Sequence, residues 1–370
     1  MSYFTLPKIN TIITVNPIES TNILKPYMSH SLLNYYNEMH NQIEQYLNKN
    51  DLSYNSYEEI TRIINPYEYI FSKVPGSKFS VSKLKPKTCL FYDFLEVSTT
   101  LNIFDSYKFS SIKTLHLTNN NDDTIECLEI LRENFNDEMT CYDEINDEII
   151  KKIGDEKFDF IFFETKYNDN INDYTINLIK IILIILKNQL YGGSCIIKIN
   201  NVFHKPIIDI LYLLSSLYDK TYILKPNTSN ITTFDKYVIC KKLQNNETTN
   251  LRFNYFKLVI FLKKLEGKNI ISILDDNIPY YFITKLNDIN IIVGQQQIES
   301  LDLIINIFKI KNKEEKIETI KKSNIQKSVA WCEKYKIPCN KFSEKINIFL
   351  PLNKEQNNLE QNINLNLNLS

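Results

Sequence analysis

Lys198 is the residue of this chain whose position most clearly invites a chemical interpretation. It follows the apolar residues Cys195–Ile197, and the pair Gly192-Gly193 precedes that run. A short apolar run bounded by glycines predicts a buried strand. Ligands of open α/β sheets bind at the carboxyl ends of the strands, so Lys198 lies where chemistry is expected. The alternative is a structural lysine whose stem packs at the strand end while its ammonium reaches water.

Two segments downstream add polar residues to this pattern. The segment 225–229 reads Lys-Pro-Asn-Thr-Ser, and the segment 235–240 places Asp235 two residues before Tyr237. Together with the lysine-ended strand, the order of features over 192–243 resembles FtsJ-type RNA 2′-O-methyltransferases. It is most similar to the cap-specific mRNA nucleoside-2′-O-methyltransferases and their relatives in large cytoplasmic DNA viruses. The resemblance implies a Rossmann-like class I methyltransferase fold, S-adenosylmethionine as cofactor, and RNA, in particular capped mRNA, as substrate.

The resemblance also implies a catalytic tetrad of two lysines and two acids. Lys198 matches the second lysine, and Asp235 matches the acid before the last strand, where the family usually has Glu. Glu164 matches the other acid, where the family usually has Asp. Lys78 is the best match for the first lysine, which lies upstream of the first strand, and Lys83 is the reserve. Each change of carboxylate length moves the charge by about one C–C bond, which matters in a tight constellation.

Two lysines and two acids suit methylation of a ribose hydroxyl for a physical reason. The 2′-hydroxyl is a poor nucleophile at neutral pH, and a lysine accepts its proton only if the pKa of that lysine is depressed. A second ammonium nearby and partial burial depress it. The carboxylates hold the lysines in place, and the enzyme supplies mainly positioning and electrostatics.

The predicted cofactor loop departs from the family pattern. The apolar run 89–97 is predicted as the first strand, and the residues after it include no glycine, although the family has a glycine-rich loop there. Without glycine, close backbone approach and positive φ are costly. Cofactor binding therefore requires a rearranged loop or has been lost. The candidate contacts are Asp93, Glu96, Ser98, Thr99 and Asp143, and for each acid the alternative is a solvated loop residue.

The remaining pattern predicts an α/β domain with a mainly parallel, seven-stranded sheet, an antiparallel last strand and helices on both faces. The connection 225–235 is too short for a crossover helix, so the last two strands should pair antiparallel. Predicted strands are 89–97, 112–117, 139–142, 158–163, 194–200, 221–224 and 236–241. Predicted helices are 32–47, 124–135, 143–153, 171–189, 205–218 and 317–335.

The 370 residues are predicted to divide into four parts. These are an N-terminal extension (1–65), the methyltransferase domain (66–243), a mixed C-terminal extension (244–350) and a low-complexity, disordered tail (351–370). The net charge of −1 argues against a uniformly basic nucleic-acid binder, but not against a local basic patch. Seven cysteines without CxxC spacing predict free thiols, and four scattered histidines predict no metal site.

No signal peptide or membrane span is apparent, so we expect a cytoplasmic protein, or one of a viral factory or virion if the source is a large DNA virus. Two hypotheses follow. The first is an active RNA 2′-O-methyltransferase. The second is a degenerate methyltransferase fold retained as an RNA-binding or complex-forming subunit, for example in a transcription or capping complex. The retained charges of the tetrad favour the first hypothesis, and the glycine-free loop favours the second.

Overall fold

The computed structural model describes residues 3–50, 53–133, 135–165, 170–244, 248–265, 267–275, 277–310 and 313–340. The chain divides into two compact units. The first unit comprises Met1–Leu52 and Lys87–Ile305, and the second comprises Ser53–Pro86 and the chain from Asn306 onward. The boundaries predicted at 65/66 and 243/244 fall inside these units rather than between them. The tail predicted at 351–370 lies outside the described residues.

The strands in chain order are β1 (Tyr3–Thr5), β2 (Val15–Ser20), β3 (Lys113–Leu117), β4 (Glu138–Tyr142), β5 (Phe158–Glu164), β6 (Gln189–Ile199), β7 (Tyr218–Leu224), β8 (Lys236–Leu243) and β9 (Asn269–Leu274). The helices are α1 (His30–Lys49), α2 (Tyr54–Ile64), α3 (Leu90–Thr100), α4 (Asn121–Leu131), α5 (Asp147–Ile153), α6 (Ile171–Asn188), α7 (Lys205–Leu217), α8 (Thr248–Lys264), α9 (Tyr280–Lys309) and α10 (Lys313–Lys334).

Seven strands form one sheet in the order β1-β7-β8-β6-β5-β3-β4. Strands β3 to β7 share one direction, while β8 runs antiparallel between β6 and β7, and β1 runs antiparallel at the edge. The predicted Rossmann-like α/β fold with an antiparallel last strand is therefore confirmed. The short connection 225–235 leaves β8 no alternative to turning back beside β7.

The predicted strand 89–97 is wrong, because these residues belong to α3. An uninterrupted apolar run does not by itself distinguish a buried strand from a buried helix. Here every residue from Leu90 to Ser98 is buried. The first strand of the parallel set is instead β3. The loop after that strand begins at Thr118, so the premise for a glycine-free cofactor loop at 97–100 falls away.

Helices cover both faces of the sheet, as predicted. On one face, the ring of Phe94 in α3 packs edge-on against Phe162, with centroids 5.2 Å apart. On the other face, Ile161 and Ile197 join one buried cluster with residues of α6 and α7, such as Ile182. Alternate residues of β5 thus face opposite layers, as the pleat of a strand requires.

The N-terminal residues contribute strands that the sequence pattern did not predict. Strand β1 pairs with β7, and β2 forms a separate two-stranded sheet with β9. The helices predicted at 32–47 and 317–335 correspond to α1 and α10. None of the helices in the described part of the chain has the length and apolarity needed to cross a bilayer.

Candidate active site at the carboxyl edge of the sheet

The glycine pair before Lys198 has a structural role at the other end of β6. Gly192 has φ +76°, and a Cβ on Gly193 would lie 2.8 Å from the backbone oxygens of Asp159 and Leu190. Near the start of β6 its pairing with β5 shifts register, and glycine is required at this irregularity. After this irregularity, β5 and β6 pair in the register that places Lys198 opposite Glu164.

Lys198 and Glu164 form an ion pair at the carboxyl ends of β6 and β5. The Lys198 Nζ lies 2.8 Å from the Glu164 Oε1, and the two side chains are 21% and 14% exposed. Because the residues are direct partners on adjacent strands, their side chains project from the same face of the sheet. The pair is mostly withdrawn from solvent, which strengthens its attraction compared with a surface pair.

Glu164 also joins the end of β3, where the strand order reverses. The chain passes from β3 to its neighbour β4 and then crosses to β5 on the other side of β3. Ligands of such sheets bind at this switch point. The Thr118 hydroxyl and the Asn120 Nδ2 both donate to Glu164 Oε2, the latter at 3.3 Å. Glu164 therefore links the switch point to Lys198.

Asp235 approaches the same edge from the start of β8. Its Oδ1 accepts a hydrogen bond from the Asn200 Nδ2 at 2.9 Å, and its Oδ2 accepts one from the Thr233 hydroxyl at 3.2 Å. The Lys225 Nζ donates to the backbone oxygens of Thr233 and Asp235, at 2.7 and 3.0 Å. The end of β7 is thereby attached to the start of β8, with Asp235 between the two strands.

Helix α3 reaches this face of the sheet through Asp93. Tyr237 is the cross-strand partner of Lys198, and its hydroxyl donates to Asp93 Oδ2 at 3.0 Å. The Thr228 hydroxyl donates to Asp93 Oδ1. Direct partners on adjacent strands share a face, so Asp93, Tyr237 and Lys198 lie on the same side of the sheet.

Glu96, one turn further along α3, holds the loop after β7. Its two carboxylate oxygens accept hydrogen bonds from the Asn227 backbone N–H at 3.1 Å and from the Asn227 Nδ2 at 2.9 Å. Asp93 and Glu96 are both buried. These two acids, predicted as cofactor contacts, thus lie on a helix and fasten the segment 225–229.

The electrostatics of the cluster keep Lys198 protonated. Burial alone would lower the pKa of Lys198, but Glu164, Asp93 and Asp235 outweigh it and raise that pKa. Burial also acts to raise the pKa of Glu164, and the charge of Lys198 outweighs it, so that pKa is lowered. A lysine with a raised pKa is an ammonium ion at neutral pH. In this arrangement Lys198 already carries its proton, so it could act as a base only after losing that proton.

Two neighbouring lysines have the opposite property. Burial lowers the pKa of Lys225 to about 8, although Asp235 and Asp93 act to raise it. Lys236 is completely buried, donates from Nζ to the Asn200 backbone oxygen at 2.9 Å, and has a pKa of about 7 because burial disfavours its charge. Depressed lysine pKa values near pH 7–8 are typical of groups that exchange protons.

The structure brings together three of the four predicted tetrad residues at one edge: Glu164, Lys198 and Asp235. Lys78 and its reserve Lys83 are exposed residues of the second unit. Their assignment as the first lysine stays a prediction. Within the first unit, Asp93 lies upstream of β3, the first strand of the parallel set. It is an acid, not a lysine, and its charge acts to raise the pKa of Lys198.

The other predicted cofactor contacts have different surroundings. Ser98 is buried in α3 and its hydroxyl has no hydrogen-bond partner among the residues that the structure describes, whereas Thr99 is exposed. Asp143 follows β4, is exposed, and accepts a hydrogen bond from the Asn121 Nδ2 at 3.1 Å. An acid after the second strand suits the ribose hydroxyls of a nucleoside. Asp143 therefore fits the adenosine contact predicted for it, which no contact in the structure tests.

The sequence prediction did not include Thr118 and Asn120, the residues at the switch point. It took 89–97 as the first strand of the sheet, whereas that strand is β3. The sequence cue was Thr-Asn-Asn-Asn directly after an apolar run, and this loop again has no glycine. The backbone there therefore lacks the usual cradle for a cofactor, and the contacts available are side chains: Thr118, Asn120 and Asn121. Among the described residues, no cluster of three or more His, Cys, Asp or Glu side chains is placed to hold a metal ion.

Comparisons with known proteins give a partial sequence match and partial structural matches. No family model matches the chain. A stretch of 123 residues is 28% identical to the uncharacterized protein R383 of Acanthamoeba polyphaga mimivirus, covering 33% of this chain and 32% of that protein. The chain thus matches about a third of the length of this curated relative.

Two solved structures are similar in part. A Plasmodium falciparum protein described as a ribosomal RNA methyltransferase has a TM-score of 0.33 and 15% identity, covering 42% of this chain and 98% of its own. Human methyltransferase-like protein 13, solved in complex with SAH, has a TM-score of 0.30 and 12% identity, covering 53% of this chain and 99% of its own. TM-scores this low do not establish a relationship.

Proposed function

We propose that the protein is an S-adenosylmethionine-dependent RNA 2′-O-methyltransferase that acts on the cap-proximal ribose of mRNA. The observation that carries the proposal is the Lys198–Glu164 pair at the switch point of a Rossmann-like sheet, with Asp235 beside it. The resemblance of residues 192–243 to FtsJ-type enzymes supports it. The match to a mimivirus protein is in keeping with relatives in large DNA viruses, for which a viral factory is the expected location.

The residues divide the proposed reaction between them. Thr118, Asn120 and Asp143 would bind the cofactor at the ends of β3 and β4, and the cofactor supplies the methyl group. Glu164 holds the Lys198 ammonium beside the switch point, where it would orient the ribose, and the charge of Asp235 also favours the ammonium. To accept the hydroxyl proton, Lys198 must first leave Glu164 and lose its own proton to solvent, because the ion pair favours the charged lysine. Catalytic hydrogen bonds often tighten or exchange partners only when substrate binds.

A second function is favoured by two specific observations. Lys198 faces three carboxylates, and the loop 118–120 has no glycine. Both features suit a methyltransferase fold that no longer transfers methyl groups and serves as an RNA-binding or complex-forming subunit. In that case the lysines of the carboxyl edge would contact RNA phosphates, and binding would weaken with salt.

The first prediction separates these functions by comparing the wild type with Lys198→Ala and Lys198→Arg. Calorimetric titration with S-adenosylmethionine measures cofactor binding, and tritiated cofactor with cap-0 RNA measures transfer. We expect Lys198→Ala to lose about 10²–10⁴-fold in rate, as removal of a base does. Lys198→Arg keeps the charge but releases no proton at neutral pH, so it should be equally inactive if Lys198 is the base.

Lys220→Ala is the matched control. Lys220 is an exposed lysine of β7 near the opposite end of the sheet, and its removal should leave transfer unchanged. A wild type that binds RNA but neither binds cofactor nor transfers a methyl group contradicts the proposed enzyme and favours the subunit.

A further inference from the structure

Asp93 is a buried acid that accepts no hydrogen bond from any lysine or arginine in the part of the chain that the structure describes. Its side chain is 3% exposed, and its hydrogen bonds come from the hydroxyls of Thr228 and Tyr237. Burial raises the pKa of Asp93, because an uncompensated buried charge is costly, whereas the charge of Lys198 and the two hydroxyls act to lower it. Such a group is retained most readily when its charge acts on something nearby.

The nearby group is Lys198. Tyr237 stands directly opposite Lys198 across the β6–β8 ladder, and Asp93 is attached to the end of that tyrosine from α3. Lys198 therefore has a carboxylate on each side: Glu164 from β5 in direct contact, and Asp93 from α3 through the Tyr237 position. Asp235 from the start of β8 and Lys225 from the end of β7 complete the charged groups around it.

We propose that Asp93 is a positioning residue of the Lys198 centre, which secures Lys198 as an ammonium ion at the carboxyl edge of the sheet. Glu164 in direct contact and Asp93 behind Tyr237 both act to raise the pKa of Lys198, because an opposite charge favours the charged form of its partner. The raised pKa of Lys198 agrees with this arrangement. Asp93 comes from upstream of β3, where a second lysine would have had the opposite effect on Lys198.

Glu96 provides a control that separates the effect of the Asp93 charge on Lys198 from the effect of holding the loop after β7. It lies on the same helix, is also buried, and holds the same loop through Asn227, with a longer contact of 3.4 Å from the Thr228 hydroxyl; unlike Asp93, it does not contact Tyr237. It is not among the carboxylates that act on Lys198. Loosening the loop through Glu96 should leave the ionisation of Lys198 unchanged, whereas neutralising Asp93 should alter it.

The experiment measures the titration of Lys198 in the full chain. Folded protein is exposed to brief pulses of isotope-labelled acetic anhydride at increasing pH, and mass spectrometry quantifies acetylation of Lys198. Only the neutral amine reacts, so the onset of labelling reports its pKa. We expect Asp93→Asn to move the onset down by about 1 pH unit or more, the effect of one close opposite charge. Glu96→Gln should leave the onset where it is in the wild type.

Circular dichroism verifies folding at each pH. If Asp93→Asn does not fold, Thr228→Val replaces it: this nearly isosteric change removes a hydroxyl that stabilises ionised Asp93, and it should give a smaller shift in the same direction. Equal onsets in the wild type and in the Asp93 or Thr228 variant would overturn the proposal, as would equal shifts in Asp93→Asn and Glu96→Gln.

An activity measurement extends the test and rests on the proposed function. If Lys198 accepts a proton during methyl transfer, Asp93→Asn should move the acidic limb of the pH–rate profile down by the same interval as the labelling onset. A wild type without methyl transfer would refute the proposed enzyme but would leave the labelling result as a valid measure of Asp93. The two failures are therefore distinguishable.

Discussion

At the scale of single residues, Lys198 shows that position and ionisation have different origins. Strand β6 determines where the side chain lies, and that much is readable from an apolar run ending in lysine. Its protonation is determined by acids on β5, on α3 and before β8, which lie 34, 105 and 37 residues away in sequence (198 − 164, 198 − 93, 235 − 198). No local pattern contains that information. The role of Lys198 as the base stays a prediction, and the structure adds that the surrounding acids raise its pKa.

Lys236 carries the residue-scale prediction on stability. Its pKa is lowered to about 7 in the folded protein from an ordinary value of 10.5, because burial disfavours the charge. The unfolded chain therefore binds more protons between these two values, and stability should increase as pH rises through about 7 to 10. Lys236→Met removes the titrating group. It should flatten this part of the profile and raise the free energy of unfolding at pH 6 by a few kcal/mol.

Urea unfolding at pH 6, 7, 8 and 9 measures the effect. Lys220→Met, a change at an exposed position of β7, serves as the control and should keep the wild-type slope. A Lys236→Met protein with the slope of the wild type would show that Lys236 is charged in the folded state.

At the scale of elements, the prediction succeeded where two cues agreed. Strands β3 to β8 and helices α4 to α7 have apolar runs or helical periodicity together with polar punctuation. Helix α3 failed because its apolar residues cover every side, which conceals the helical period. Because of that one error, the cofactor loop was expected at 97–100, about twenty residues before the loop 118–120 that follows β3. The predictions for Glu164 and Lys198 at the ends of β5 and β6, and for Asp235 before β8, were unaffected, since each depends only on its own strand.

The contact between α3 and the loop after β7 gives the element-scale prediction. Glu96→Gln replaces one acceptor oxygen with an amide that faces an Asn227 donor. Leaving a buried hydrogen bond unmade costs about 1–3 kcal/mol. We expect that loss in unfolding free energy, together with faster hydrogen exchange at the Asn227 amide, while the amides of β5 remain protected. Uniformly faster exchange over the whole sheet would indicate global unfolding instead.

At the scale of the whole molecule, the N-terminal residues belong to the sheet rather than to an appendage. Strand β1 covers the edge of β7, and β2 pairs with β9. The sequence could not reveal this, because a three-residue strand has too few positions for a periodic pattern and its partner lies far along the chain. The extension at 1–65 was predicted from its polar composition. That composition fits the exposed side of α1, but it does not indicate the strands β1 and β2 that precede this helix.

A fragment limited to residues 66–243 tests this organisation. It lacks β1, β2 and β9, so the edge of β7 and the helix α7 that packs near β9 would be exposed. We expect no cooperative unfolding transition and a tendency to aggregate through the open edge. A chain of residues 1–305, which retains the whole first unit, should unfold cooperatively. A cooperative transition in the shorter fragment would contradict the structural role of the N-terminal strands.

The pairing of Thr5 with Tyr222 has a consequence for biosynthesis. A ribosome that adds roughly 5–20 residues per second needs about 10–45 s to make the chain between these two strands. During that interval β1 has emerged but its partner has not been synthesised. The Tyr3–Thr5 strand then presents unpaired backbone groups, as does β2, which waits for residues 269–274. Nascent chains should therefore bind a chaperone near their N-terminus until β7 leaves the ribosome, and a substitution that slows translation before residue 218 should prolong that association.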